Sequence, residues 1–553
     1  MLRPALRAKL DPNDKAGARR MGFLKGVVLL AGFAMATAAS AQDAKVTRLV
    51  PGSDFHGVHG LRFSPKGELY AGSVAGQSLY SVDLATGKAK VLVGPPQGMA
   101  DDMAFGPGDQ VVWTAISDNI VYSRRGSGPI EVLAKDLVSV NSITFSRDGK
   151  RLFAAQVFGG DALWELDPAG KAPRRMIREG MGGFNSFAAG SDGWLYGPLW
   201  FKGQVVKINP DTGDMVVVAD GLDTPAAAKF DSKDNLYAID THLGELIRID
   251  IKTGAKTKVA QLSTALDNFA IDANDQIVVS NMADNGLQIV DPTTGAVRQV
   301  MKGALAFPAD IAVATDGGRE SLFVADVFSY RGVDGVSGAV RDIARVHTKG
   351  SKLEYPTGVS VGVERVVLAS APTGAVLVYD RRTGEALSVL HGFKSPSDAL
   401  ELADGSILVA ELASGDLIKV RGDQRTILAG GLAAPASLAL GSDGGVYVAE
   451  VAGGRIARVD LATGAKTLVA KDLNLPKAVA LGPDGRLAVL EVGARRVVSI
   501  DPRTGAVKVV AKDLPLGLVT KPFPLAGGIA VGPSGAIYVT SDLENAIYKI
   551  TEK

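Results

Sequence analysis

The sequence predicts an all-β protein made of two consecutive six-bladed β-propellers behind an N-terminal signal peptide. Three observations carry that prediction. Apolar runs of strand length alternate with turns rich in Gly, Asp and Asn along the whole chain. A turn motif, Asp/Asn-x-x-Thr-Gly, recurs at Asp83, Asn209, Asp250, Asp291, Asp380, Asp460 and Asp501, with Asn209, Asp250 and Asp291 standing 41 residues apart. Helical periodicity is sustained nowhere beyond the N-terminal apolar segment. That period, with three to four short strands in each unit, belongs to a propeller blade.

The clearest unit is residues 184–213, FNSFAAGSDGWLYGPLWFKGQVVKINPDTG. It holds three apolar runs, a Ser-Asp-Gly turn, and a closing turn whose first side chain accepts from backbone N–H groups while Gly takes the left-handed position. Aligned on such marks, inner runs begin near His59, Asp101, Asn141, Asn185, Ala226, Asp267, Ala309, Thr357, Ser397, Ala436, Lys477 and Gly527. Twelve blades exceed the usual ring of about four to eight, so two rings dividing near residue 305 are expected. The domains are then 1–41, 42–305 and 306–553. The last unit ends after its third strand, AIYKIT, and the strand at 46–50 is free to supply the fourth. It closes either the second ring directly, or the first ring while a strand near 296–301 crosses over.

Residues 21–41, MGFLKGVVLLAGFAMATAASA, read as a secretory signal, with Arg19, Arg20 and Lys25 basic and Ala-Ser-Ala closing the apolar run. Met21 is the expected start, and a periplasmic or secreted protein without a membrane span after cleavage is the expected product. The chain has 60 Lys and Arg against 59 Asp and Glu, an even balance that argues against a nucleic-acid surface. It has no cysteine, which excludes disulfides, thiolate metal sites and cysteine nucleophiles.

In a propeller, residues opening the inner strands converge at one end of the central channel. The first ring presents His59, Asp101, Asn141, Asn185, Ala226 and Asp267 there, whereas the second presents Ala309, Thr357, Ser397, Ala436, Lys477 and Gly527. Only the first set can be a clustered oxygen-donor site, and its carboxylates and carboxamides suit Ca²⁺ or another hard divalent cation. A neutral His beside such a cation is a candidate base. His56 and His59 sit together at the first inner strand, and His242 follows a strand on the same face. Trp200 and Phe201 are candidate pocket walls.

At these residues the first half resembles the six-bladed regucalcin/gluconolactonase family and its paraoxonase-like and diisopropylfluorophosphatase-like relatives. VNSITF places Asn141 where that family has a calcium-ligand asparagine. FNSFAAGSDGWLY places Asn185 where gluconolactonases have Asp and paraoxonases Asn. ALDNFAID, with Asp267 and Asn268, matches a paraoxonase-like Asp-Asn pair. ADDMAF, with Asp101 and Asp102, looks like the acidic pair of an early blade. Where gluconolactonases open the first blade with a calcium-ligand Glu, VHGLRF gives His59. The resemblance implies a metal-dependent hydrolase of lactones or related esters. Asp101, Asn141, Asn185 and Asp267 would hold Ca²⁺, His59, Asp102 or His242 would do acid–base work, and His56, Asn268, Trp200 and Phe201 would shape the substrate pocket.

Two alternatives stay open. One is a lyase similar to virginiamycin B lyase, a propeller enzyme that uses a metal and a His to remove a proton. The other is a non-enzymatic exported propeller that binds a protein, glycan or small molecule. The second ring resembles NHL-type blades and reads as a scaffold or a protein-partner surface. Its acids Asp326, Glu411, Glu450 and Glu491, with Arg455, read as structural surface or edge ion pairs. Gly358-Val359-Ser360-Val361-Gly362 fits the nucleophile-elbow pattern, but no helix is expected after it, so the geometry for a nucleophile is missing.

Overall fold

Each predicted unit is a four-stranded antiparallel sheet, and twelve such sheets occur among the described residues, 44–518 and 525–551, of the computed structural model. The signal-peptide reading of residues 1–41 lies outside them. Among the described residues no helix interrupts the strand order. Blades 1–6 span residues 61–301 and blades 7–12 span 310–551. The inner strand Leu61–Phe63 of blade 1 packs beside Leu266–Ile271 of blade 6, and Asp310–Asp316 of blade 7 beside Ile529–Val531 of blade 12. Two closed six-bladed rings result.

Of the two closures the sequence allows, the strand Lys45–Val50 takes the first. It pairs antiparallel with Ala546–Thr551, Lys45 opposite Thr551 and Val46 opposite Ile550, and so becomes the fourth strand of blade 12. Those residues, read above within the first propeller's range of 42–305, therefore sit in the second ring. Pairing removes the edge that Ala546–Thr551 would otherwise expose.

The repeated turn explains how blades seat against one another. Asp460 Oδ1 accepts from the N–H groups of Ala462 and Thr463 at 3.1 and 2.9 Å. Gly464 follows at φ +72°, and a Cβ there would collide with Leu428 O of the preceding blade. Gly295 faces Val259 O in the same way, and Gly87 of blade 1 faces Val300 O of blade 6, so this contact also closes the first ring. Apolar side chains fill the space between neighbouring blades. Between blades 3 and 4 the fill is Phe153, Leu163, Phe184, Phe187 and Leu195. A further cluster joins Ala75 and Met282 of the first ring to Phe307, Phe323 and Phe328, packing the rings on each other.

The acids that end second strands are structural but not superficial. Asp326, Glu411, Glu450 and Glu491 are all buried. Glu450 accepts from Ala433 N at 2.6 Å and from Arg455 at 2.9 and 2.7 Å, and Glu491 accepts from Asn474 N at 2.7 Å. Each carboxylate thus anchors the loop entering the inner strand of its own blade, which is why it sits inside rather than at an edge. Ser360 of the elbow-like pentapeptide lies on an inner strand and spends its hydroxyl on Ala399 O at 2.6 Å.

Gly464→Ala is expected to destabilise by roughly 2–4 kcal/mol, combining left-handed strain with the collision. Gly485→Ala, at φ +75° but with nothing within 4 Å of the added carbon, should cost only about 1 kcal/mol. Urea unfolding of the two variants checks the difference.

Candidate functional site between the two rings

The residues opening the inner strands are displaced from the regular ladder. Register shifts fall between Val140 and Ser142, and between Leu266 and Phe269, so Asn141 and Asp267 occupy β-bulges. A bulge re-aims its extra side chain, here off the sheet and into the end of the channel. His59, Asp101, Asn141, Asn185 and Asp267 consequently line one cavity of about 470 Å³. Trp200 lines it as well.

The next residue along each strand does something different. Asp102 Oδ1 accepts from Met103 N at 2.9 Å, and Oδ2 from Ile143 N of the following blade at 3.5 Å and Ser186 Oγ at 3.4 Å. Asn268 Oδ1 accepts from Phe269 N and from Lys229 Nζ, at 2.8 and 2.6 Å. These two side chains point down the channel and staple blades together, outside the cavity lining. His56 also lies outside it. Its Nε2 donates to Asp542 O at 2.7 Å, leaving Nδ1 buried without a partner. His242 stands behind the lining, with Nδ1 2.8 Å from Asp223 Oδ1 and its ring stacked 6.2 Å from that of His347. Phe201 is 62% exposed on the rim, its ring 6.0 Å from that of Phe158.

The far wall comes from the second ring. Phe328, His347, Tyr355 and Pro372 face the same cavity. The Phe328 ring meets His59 edge-on at 5.6 Å, and His347 Nε2 lies 2.6 Å from the Tyr355 hydroxyl. The connection 346–357 that carries His347 and Tyr355 is fastened to the first ring by Lys349 with Asp223 at 3.0 Å and Thr348 with Thr264 at 2.6 Å. Backbone strain concentrates here. Val327, His347, Tyr355 and the rim residue Phe158 all adopt positive φ, at 30°, 49°, 38° and 66°, a conformation bulky residues avoid unless their surroundings impose it. Sequence reasoning assigned no site residue to the second ring. The available signal was the distance from Ala309 to Thr357, longer than the repeat, in the one unit that carries VHTKGSKLEYP.

The electrostatics divide the cavity. Burial, then the charges of Asp267 and Asp102, hold the Asp101 carboxyl well above the usual range. Burial, then Asp102, pushes Asp267 up to about 7. Burial brings His59 down to about 4 and His347 to about 3, so both imidazoles are neutral near pH 7. Because His59 Nδ1 lies 2.9 Å from Gly57 O and a carbonyl only accepts, the ring proton sits on Nδ1 and Nε2 keeps its lone pair. Among the described residues no group of three or more His, Asp or Glu side chains is placed to hold a metal ion. A cation here would rely on the carboxamides Asn141 and Asn185 beside Asp101 and Asp267. That donor chemistry fits a hard dication, whose charge would relieve the repulsion between the two acids.

The second ring's mouth is more polar than its opening residues imply. Asp310 and Asp398, each one residue further on, are buried near Lys477, whose charge lowers both pKa values against a larger upward push from burial. They act as staples. Asp310 Oδ2 accepts from Val359 N at 2.9 Å and Asp398 Oδ2 from Leu438 N at 2.8 Å.

Fold and site together define a double β-propeller with a cavity of about 470 Å³ between its rings. No family model and no curated protein matches the chain. One solved structure that matches is a catalytically inactive variant of virginiamycin B lyase from Staphylococcus aureus with quinupristin. It is similar at 16% identity and a TM-score of 0.37, over 51% of this chain and 96% of that one.

His56 gives the site's surroundings a signed pH dependence. Burial lowers it from 6.5 to about 4. As pH falls through that window the unfolded chain takes a proton that the folded chain refuses, so His56 makes folding progressively less favourable. His56→Gln is expected to flatten the loss of thermal stability between those two pH values relative to wild type. Melting curves across the window check it, and comparing the two proteins cancels the opposing contribution of the raised carboxylates.

Proposed function

We propose that the inter-ring cavity is the active site of an exported hydrolase of lactones or related esters, similar in kind to gluconolactonases and paraoxonases. The observation that carries this reading is the convergence of two carboxylates and two carboxamides from four blades on one cavity, beside a neutral histidine. Asp101, Asn141, Asn185 and Asp267 would hold a divalent cation, Ca²⁺ by their chemistry, which when bound polarises the substrate carbonyl. The chain's own residues supply the rest. Nε2 of His59 takes a proton from water as the water oxygen bonds to the carbonyl carbon. As the ring C–O bond breaks, the same nitrogen returns the proton to the leaving oxygen. Ser142 Oγ lies 2.8 Å from Asn141 Oδ1 and 3.1 Å from Asn185 Oδ1, so its one hydroxyl proton is shared between the two carboxamide oxygens and holds them together. Phe328, packed on His59, keeps bulk water from the base.

Purified protein assayed on aldonolactones and aryl esters is expected to turn over at least one of them, to lose that activity to a chelator, and to regain it with Ca²⁺. Asp101→Asn and Asp267→Asn should each lower the rate about a hundredfold or more. In chelator-treated protein they should not lower the melting temperature, since each removes a buried carboxylate whose ionisation burial opposes. Turnover that opens the ring without adding water would identify elimination instead. No turnover on any substrate, with no metal by elemental analysis, overturns the proposal.

A further inference from the structure

The first ring has a second cavity at the opposite end of its channel. The inter-ring cavity is lined by residues that open the inner strands, whereas this one, of about 490 Å³, is lined by residues that end them. Arg62 and Lys229 lie in its wall. Arg62 reaches across the channel, with Nε donating to Met103 O at 3.1 Å and Nη2 to Ile143 O at 3.4 Å. Lys229, only 4% exposed, donates to Leu61 O at 3.2 Å and to Asn268 Oδ1 at 2.6 Å. All four acceptors are uncharged. Burial, and then the nearby Arg62 guanidinium, bring the Lys229 ammonium down to about 7. The acids on the rim are committed elsewhere. Asp231 accepts from Lys233 N and Asn235 N at 2.9 and 2.8 Å, and Asp272 from Asn274 N and Gln276 N at 2.9 and 2.8 Å. Arg147, also on the rim, pairs with Asp234.

The second ring shows that the fold does not require these cations. In the same register its inner strands carry Ala312, Ser360, Leu400, Ala439, Ala480 and Ala530. At this level the second ring's channel therefore holds only small or apolar side chains, and its own buried ammonium, Lys477, lies three residues earlier beside the carboxylates of Asp310 and Asp398. Burying an ammonium and bringing a guanidinium beside it with only uncharged hydrogen-bond acceptors costs stability that the charges of Asp102 and Asp267 offset in part, and the first ring does so where a cavity opens to solvent.

We propose that this far cavity is an oxyanion-binding site, holding a carboxylate or phosphate group between Arg62 and Lys229. The planar guanidinium keeps N–H donors beyond the two it uses on carbonyls, and the ammonium keeps one of its three, so an oxyanion can bridge them with charge-assisted bonds. The site is lined by different residues from the inter-ring cavity, with Lys229 and Asp267 near enough in the channel for each charge to act on the other.

Isothermal titration of the purified full chain with inorganic phosphate, and separately with acetate, at matched ionic strength in chloride, tests this. Saturable one-to-one binding of at least one anion is expected, with Lys229→Met and Arg62→Gln each weakening it at least about tenfold. Binding of phosphate alone assigns the site to phosphate groups, and of acetate alone to carboxylates. Two variants are used so that a folding failure in one, read by its melting curve, leaves the other decisive. Absence of saturable binding of either anion to wild type, or affinity unchanged in a folded variant, overturns the proposal.

Discussion

The structure depends on how closely the inner strands of neighbouring blades approach one another around each channel. At that distance a backbone N–H on one strand faces the next blade, and burial forbids leaving it unpaired. Asp310 and Asp398 answer this directly, each accepting from its own strand with one oxygen and from the following blade with the other. Where a side chain has no room the position is glycine. A Cβ on Gly60 or Gly358 would collide with the backbone of the neighbouring inner strand. The set of residues permitted here is therefore narrow, and it is dictated by the ring rather than by any ligand.

The proposed site sits one residue earlier, on the bulges that precede these staples. Asp101 and Asp102, or Asp267 and Asn268, are adjacent in sequence and opposite in role, since successive side chains on an extended backbone point in different directions. The cavity so created is completed by the other ring. A single ring would leave this channel mouth bare, whereas here side chains of the second ring, aromatic ones among them, form its far wall, and the strained backbone at Val327, His347 and Tyr355 shows that their placement is imposed.

The repeat was legible because its chemistry is local. Asp460 and Gly464 form their turn from within five residues, and the same solution recurs blade after blade. Asp101, Asn141, Asn185 and Asp267 were legible because a known period, once aligned, says which residues open the inner strands. His56, Asp102, His242 and Asn268 shared that neighbourhood but not that direction, and a one-residue offset turns a side chain from cavity to channel. The contribution of His347 and Tyr355 was hidden for another reason. It depends on how two rings are set against each other, a relation that no periodicity encodes. The closure of the second ring by Lys45–Val50 was likewise undecidable from pattern, because both candidate partners are strands of similar composition.

That closure has a consequence for the order in which the molecule is made. Thr47 bonds to Lys549, 502 residues later, so among the described residues the first strand waits for the last. The whole first ring is an insertion between one strand of the second ring and the remaining twenty-three. The first ring holds its own closing contacts, whereas the last blade of the second ring is complete only when Ala546–Thr551 meets Lys45–Val50. Long-range pairing of this kind is intrinsically slow. Until it forms, both strands present an unpaired edge to any partner that reaches them first.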